Sequence, residues 1–162
     1  MMDYLRAALA ATIASLGVSV GAQETESYLM TFNCLIGYEN DDHPQICAEV
    51  APYLKERVAE ANRIWRARNA KALTDFRAAC EVRLTRAYGG DQAAILSAKQ
   101  EARRRRAEFR SQLLAAPNRH SLVDCSGYAR DFAAGGERVD IDRRWIDATR
   151  DSPAGPIKWP NH

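Results

Sequence analysis

Apolar residues recur every three or four positions along most of the chain, which is the spacing of one face of an α-helix. This spacing predicts a first helix over Thr25–Tyr38 and, after a polar turn, a long second helix over Pro44–Tyr88. Pro52 predicts a kink or a short break in the second helix, because proline has no amide hydrogen to donate. No segment alternates apolar and polar residues as a half-buried strand does, so the pattern predicts an all-α fold.

Glycines and capping residues divide the rest of the chain. Gly89–Gly90 end the second helix, since glycine is favoured just past a helix C-terminus. A third helix is predicted over Asp91–Ala116, with its first residue as the N-cap. Ser121 opens a variant capping box for a fourth helix that closes at Gly135–Gly136. One last short helix is predicted within Val139–Arg150.

These elements predict an antiparallel helical bundle. Short connections make successive helices antiparallel neighbours. The second and third helices would therefore form a long central hairpin, with the first and fourth helices packed on it. We expect residues 23–150 to form one helical domain. Residues 151–162 are rich in proline and glycine and predict a flexible C-terminal tail.

The first 22 residues have the pattern of a secretory signal peptide. Arg6 precedes the uncharged apolar run Ala7–Val20, and small residues precede a predicted cleavage site after Ala22. The run is shorter than the roughly 20 residues that span a bilayer as a helix. We therefore expect an exported, periplasmic or secreted chain that begins at Gln23 and has no membrane span.

The cysteines suit an oxidising compartment. An even number in an exported chain indicates disulfide bonds. No two of them are close enough in sequence for a structural zinc site or a redox motif. We therefore predict a disulfide-braced domain, and the residues involved are Cys34, Cys47, Cys80 and Cys125.

The predicted helices favour one of the three disulfide pairings. Cys34 and Cys47 each lie about one turn from the loop that joins the first two helices, which predicts a bond between them. Cys80 and Cys125 would then form the second bond. If the second helix is continuous, Cys47 and Cys80 lie about 50 Å apart at about 1.5 Å per residue, which excludes a bond between them.

Four consecutive arginines, Arg103–Arg106, lie in the predicted third helix. Successive helical residues are turned by about 100°, so these side chains spread around the helix instead of lining one face. Glu101 and Glu108 lie beside them, and the net charge of the chain is only +2. The run therefore predicts a solvated helix face, and no nucleic-acid partner is expected.

Arg106 differs from the other three arginines, because it falls within the apolar seam of the helix. If the chain folds back at Gly89–Gly90, Asp75 lies close to this position. We therefore predict a partly buried ion pair between Arg106 and Asp75. The alternative is that the arginine head group reaches solvent along the seam. The predicted seam consists of Ile95, Ala98, Ala102, Phe109 and Leu113.

Residues suited to catalysis or metal binding are dispersed. His43 follows Asp41 and Asp42, but acidic residues before a helix are more often caps. His120 and His162 have no evident partner, and no Gly-x-Ser-x-Gly nucleophile motif occurs. We therefore predict no catalytic residue, no metal site and no cofactor.

The segment "FNCLIGYENDDHPQICAEVAPYL", residues 32–54, resembles the start of small exported lysozyme-inhibitor-like helical domains. In those domains a first cysteine is followed by an Ile-Cys pair. The later part of the chain departs from their pattern. No functional residue is therefore carried over from this resemblance.

The features together predict a non-enzymatic exported protein that binds another protein, of the chaperone, inhibitor or assembly-factor type. Its partner would be an unidentified envelope protein. The alternative is a helical bundle that binds a small ligand or a metal, near His43 or in a bundle cavity. An exposed apolar patch would favour protein binding, and an enclosed pocket with converging polar groups would favour a ligand.

Overall fold

The computed structural model describes residues 22–37, 43–136 and 139–159, which form an all-α structure. The predicted all-α, disulfide-braced fold is confirmed. The predicted signal peptide lies, except for Ala22, outside the described residues. The helices are α1 (Ala22–Ile36), α2 (His43–Val50), α3 (Lys55–Arg68), α4 (Ala70–Ala87), α5 (Gln92–Ala115), α6 (Arg119–Leu122), α7 (Cys125–Ala134) and α8 (Arg143–Asp151), with a 3-10 turn at Pro52–Leu54.

The predicted long second helix is interrupted twice. The break at Pro52 is confirmed, since Pro52–Leu54 form a 3-10 turn between α2 and α3. A second interruption, at Asn69, was not predicted. The Asn69 amide is buried, and its Nδ2 donates to the Trp65 carbonyl and to Asp140 Oδ1, each at 3.0 Å. A partner distant in sequence therefore holds the asparagine at the junction of α3 and α4.

Local capping signals are largely confirmed. Asp91 caps α5, because its Oδ1 accepts from the amides of Ala93 and Ala94 at 2.9 and 3.0 Å. Gly135 ends α7 with a φ of 80°, which favours glycine. The predicted start of this helix at Ser121 is wrong. The backbone of Val123 is extended, so the helix begins only after this residue. Asp124 is its N-cap, and its side chain accepts a hydrogen bond from the Gly127 amide at 2.7 Å.

The helices surround two hydrophobic cores. The first core lies between α2, α3 and α7, and the second between α1, α4, α5 and α8. Ile141 packs against both. Helices α4 and α5 form the predicted hairpin at Gly89–Gly90, and α1 packs against both of its arms. The main buried side chains are Cys47, Val58, Trp65, Ala129 and Phe132 in the first core and Leu35, Phe76, Leu84, Ala98 and Ala102 in the second.

Each core contains one disulfide bond. Cys47 bonds to Cys125 in the first core, with Cα atoms 5.6 Å apart, and Cys34 bonds to Cys80 in the second, with Cα atoms 5.0 Å apart. The predicted Cys34–Cys47 and Cys80–Cys125 pairing is therefore wrong. The two cysteines that flank the α1–α2 connection enter different cores, so their proximity in the chain does not bring them together. The exclusion of a Cys47–Cys80 bond agrees with the structure.

The C-terminal tail is docked as far as Trp159, although it was predicted to be loose. Ser152–Trp159 form no helix, but Ile157 is buried in the second core. The Pro153 carbonyl also accepts a hydrogen bond from Arg83 Nη2 at 3.1 Å. An apolar anchor and polar contacts therefore hold a segment whose composition alone predicted mobility.

Candidate functional site

Helices α3 and α7 lie side by side and leave an open groove along their contact. Small side chains permit the close approach, since Ala61 and Ala129 face each other's helices and are each only 2% exposed. The groove has a volume of about 480 Å³. It is lined by Arg57, Glu60, Ala61, Ile64, Ala129, Arg130, Ala133 and Ala134.

An aromatic cluster lies in the first core, to which the groove residues Ala61 and Ala129 also belong. The Phe132 ring stacks on Tyr128 with centroids 3.9 Å apart and lies 5.4 Å from the Trp65 ring. The Trp65 Nε1 also donates to the Val139 carbonyl at 2.8 Å. At the other end, the Cys47–Cys125 bond joins the start of α7 to α2. The two helices that form the groove are therefore held by aromatic packing and by a disulfide bond.

The rim of the groove is basic. Arg57 is exposed and forms no ion pair among the residues that the structure describes. Glu60 is bonded to Arg63 at 2.6 Å, and hydrogen bonds from that guanidinium lower the pKa of the Glu60 carboxyl. Arg130, on the α7 side, is 69% exposed and contacts Asp131. Of these rim residues, Arg57 alone has no ion pair within the described part of the chain, and its positive charge favours an acidic ligand.

Tyr53 adds an exposed aromatic side chain near the start of α3. It lies in the 3-10 turn and is 84% exposed. It precedes Arg57, the first residue of the groove lining, by four residues. Exposed tyrosine and arginine side chains are enriched where proteins contact each other.

A polar junction lies at the C-terminal end of α7. The Arg68 guanidinium contacts both oxygens of Asp140 and donates to the Phe132 carbonyl at 2.9 Å. A Cβ atom at Gly135 would lie 2.7 Å from Arg68 Cζ, so glycine is required for this approach. Burial raises the pKa of Asp140, but hydrogen bonds from Arg68, the Gly136 amide and Asn69 outweigh it, and the pKa is lowered overall.

Sequence reasoning missed Arg83, which is 0% exposed. Its guanidinium donates to Thr31 Oγ1 at 3.0 Å, to the Thr149 carbonyl at 3.2 Å and to the Ser27 carbonyl at 2.8 Å. These acceptors are all neutral, and burial followed by repulsion from Arg86 lowers the pKa of Arg83. A signal was present, because position 83 lies seven residues after the buried Phe76 on the same face of α4.

Asp75, the predicted partner of Arg106, forms ion pairs with other residues. Asp75 pairs with Lys71 at 2.6 Å and lies 3.9 Å from Arg143. Among the described residues, the ion pairs of Asp75 are thus with Lys71 and Arg143 and not with Arg106, which is partly buried in α5. The reason is that α1 packs against both arms of the hairpin, and α4 and α5 have few direct contacts.

The other arginines of the run mostly bind acids of their own helix. Arg104 contacts Glu101 at 2.6 Å and also Glu108, and Arg105 contacts Glu101 at 2.7 Å. Hydrogen bonds from Arg104 and then Arg105 lower the pKa of Glu101 to about 2. Phe109, expected in the buried seam, is 48% exposed. The described surface of α5 is therefore rich in compensated charge.

His43 lies at the start of α2 and stacks on Tyr128, with ring centroids 5.0 Å apart. Asp41 and Asp42 lie outside the described residues. Among the residues described, no group of three or more His, Cys, Asp or Glu side chains is placed to hold a metal ion. Within the same ranges, no helix combines the length and apolar character needed to cross a bilayer.

Comparison with known proteins adds no relative. No family model matches the chain, and neither the curated proteins nor the solved structures include a match.

Proposed function

We propose that this protein acts outside the cytoplasm by binding another protein, without catalysing a reaction. The observation that supports the proposal is the open groove between α3 and α7. It is open and lined largely by alanine and isoleucine side chains, in contrast to an enclosed pocket with converging polar groups. Arg57, exposed at its rim, favours an acidic partner.

The partner would present a narrow element to this groove. Ala133 and Ala134 extend little from α7, so a helix or an extended segment could approach the backbone closely. Export is part of the proposal, because two disulfide bonds are typical of oxidising compartments. Mass spectrometry of the exported chain should therefore identify Gln23 as its first residue.

Partner recovery with matched variants tests the proposal. The tagged mature protein, its Ala133→Arg variant and its Ala78→Arg variant would each be incubated with envelope extract. Both alanines are exposed on helices, but only Ala133 lines the groove. We expect Ala133→Arg to lose the partner, because the added side chain fills the groove and repels an acidic ligand, while Ala78→Arg retains it.

The same partner recovered equally with both variants would contradict the groove assignment. A small molecule that stabilises the wild-type protein against heating, and not Ala133→Arg, would favour the ligand-binding alternative. Circular dichroism of both variants would establish that the helices are intact.

A further inference from the structure

The segment Ser152–Trp159 lies on the second core in the manner of a bound peptide. It follows α8 without secondary structure, as its two prolines and one glycine favour. Ile157 is 7% exposed and belongs to the second core. The Trp159 ring meets Phe32 edge to face, with centroids 6.2 Å apart, and Arg105 Cζ lies 5.0 Å from the same ring.

The polar contacts of the segment involve its backbone. Its Pro153 carbonyl accepts from Arg83 and, at 2.9 Å, from Ser27 Oγ. Its Ser152 carbonyl accepts from Arg86 Nη1 at 3.2 Å. Near the other end, the Ile157 amide donates to Tyr88 Oη at 3.3 Å. Backbone contacts of this kind hold any extended chain, while side-chain pockets select its sequence.

Selection would come from two side chains. Ile157 and Trp159 point to the protein, while Lys158 between them is exposed. This alternation is that of an extended chain, in which successive side chains face opposite directions. The binding pattern is therefore an aliphatic residue and an aromatic residue two positions apart, and any residue is accepted at the position between them.

We propose that the surface formed by α1, α4 and α5 is a peptide-binding groove that Ser152–Trp159 occupies as a tethered ligand. An extended segment of another protein with the same aliphatic-x-aromatic pattern binds there by displacing it. This groove is on the second core and is separate from the α3–α7 groove of the proposed function.

The covalent link between the segment and α8 determines how tightly a competing peptide must bind to displace the segment. A short linker holds a segment at an effective concentration of about millimolar. For the segment to remain docked, its dissociation constant in trans must lie below about 1 mM. A free peptide must outcompete that local concentration, so the intact chain binds it weakly and a chain with a weakened tail binds it more tightly.

Fluorescence anisotropy on full-length proteins tests this proposal. The probe is a labelled peptide of sequence SPAGPIKW, which reproduces residues 152–159. We expect it to bind the Ile157→Ala/Trp159→Ala double variant with a dissociation constant below about 1 mM, and the wild-type chain about tenfold or more weakly. Lys158→Ala should behave as wild type, and the peptide SPAGPAKA should bind neither protein.

Equal binding of the peptide to the double variant and the wild type would overturn the proposal. If the double variant loses its helical circular dichroism, the single variant Trp159→Ala decides by the same comparison, because Trp159 is only partly buried. The wild-type protein could instead dimerise as its concentration rises while the tail variant stays monomeric. That result would overturn the proposal that the segment occupies the groove of its own chain, and would show that the segment of a second copy occupies it.

Discussion

Arg83 offers the sharpest test of how the second core is held together, and we predict that Arg83→Ala is severely destabilising. The side chain of Arg83 joins α1, the end of α8 and the tail through Ser27, Thr149 and Pro153. The Thr149 contact has a specific cause. In a continuing helix the Thr149 carbonyl would accept from residue 153, but that residue is proline and has no amide hydrogen. Arg83 Nη1 takes its place.

The expected magnitude follows from what the substitution removes. Deleting a large buried side chain costs about 2–5 kcal/mol, and leaving a buried acceptor unsatisfied costs about 1–3 kcal/mol. Relief of the buried charge offsets part of this loss, because Arg83 has no carboxylate partner among its hydrogen-bond acceptors. We therefore expect Arg83→Ala to lower the free energy of unfolding by about 3–5 kcal/mol.

Urea unfolding followed by circular dichroism would measure the change, with Arg86→Ala as the matched control. Arg86 lies one turn further along α4 and also contacts the tail, through the Ser152 carbonyl, but it is exposed. Its loss should cost about 0–1 kcal/mol, the range of surface contacts. Arg83→Met keeps most of the stem and should fall between the two. A loss for Arg83→Ala within about 1 kcal/mol of the control would refute this account of the core.

Two further predictions concern charged side chains. Asp140→Asn should cost about 1–3 kcal/mol at neutral pH, because the carboxylate accepts charged hydrogen bonds from Arg68. The pKa of Asp140 is lowered in the folded state, so its contribution is present above the unfolded pKa of about 3.9 and is lost as the pH falls through the folded pKa. Urea titrations at several pH values should thus show the gap between variant and wild type closing below about pH 4, and a gap independent of pH would exclude this role. Arg106→Ala should lower the melting temperature more than Arg104→Ala, since Arg106 is partly buried and the ion pairs of Arg104 lie at the surface. Adding Asp75→Asn should not change the Arg106→Ala loss, because Asp75 pairs with Lys71, and relief of that loss would instead support the predicted Arg106–Asp75 pair.

Local features of the sequence determined the secondary structure of most of the described chain. Gly89–Gly90, the Asp91 cap and Gly135 act on their immediate neighbours, so a pattern of a few residues is enough to predict where helices end. The apolar spacing likewise predicted the all-α class. The same angular count could have identified Arg83, which shares the buried face of α4 with Phe76.

Only the tertiary structure decided which helices meet. The placement of α1 against both arms of the α4–α5 hairpin directs Cys34 to Cys80 and leaves Cys47 for Cys125. The same is true of the candidate site, where the two walls of the groove come from α3 and α7, helices far apart in sequence. Helical periodicity specifies a buried face but not the face it meets, because many partners can exclude water from it equally well. Which faces pack against each other is determined when all the helices pack together, and in this chain that packing produces two cores.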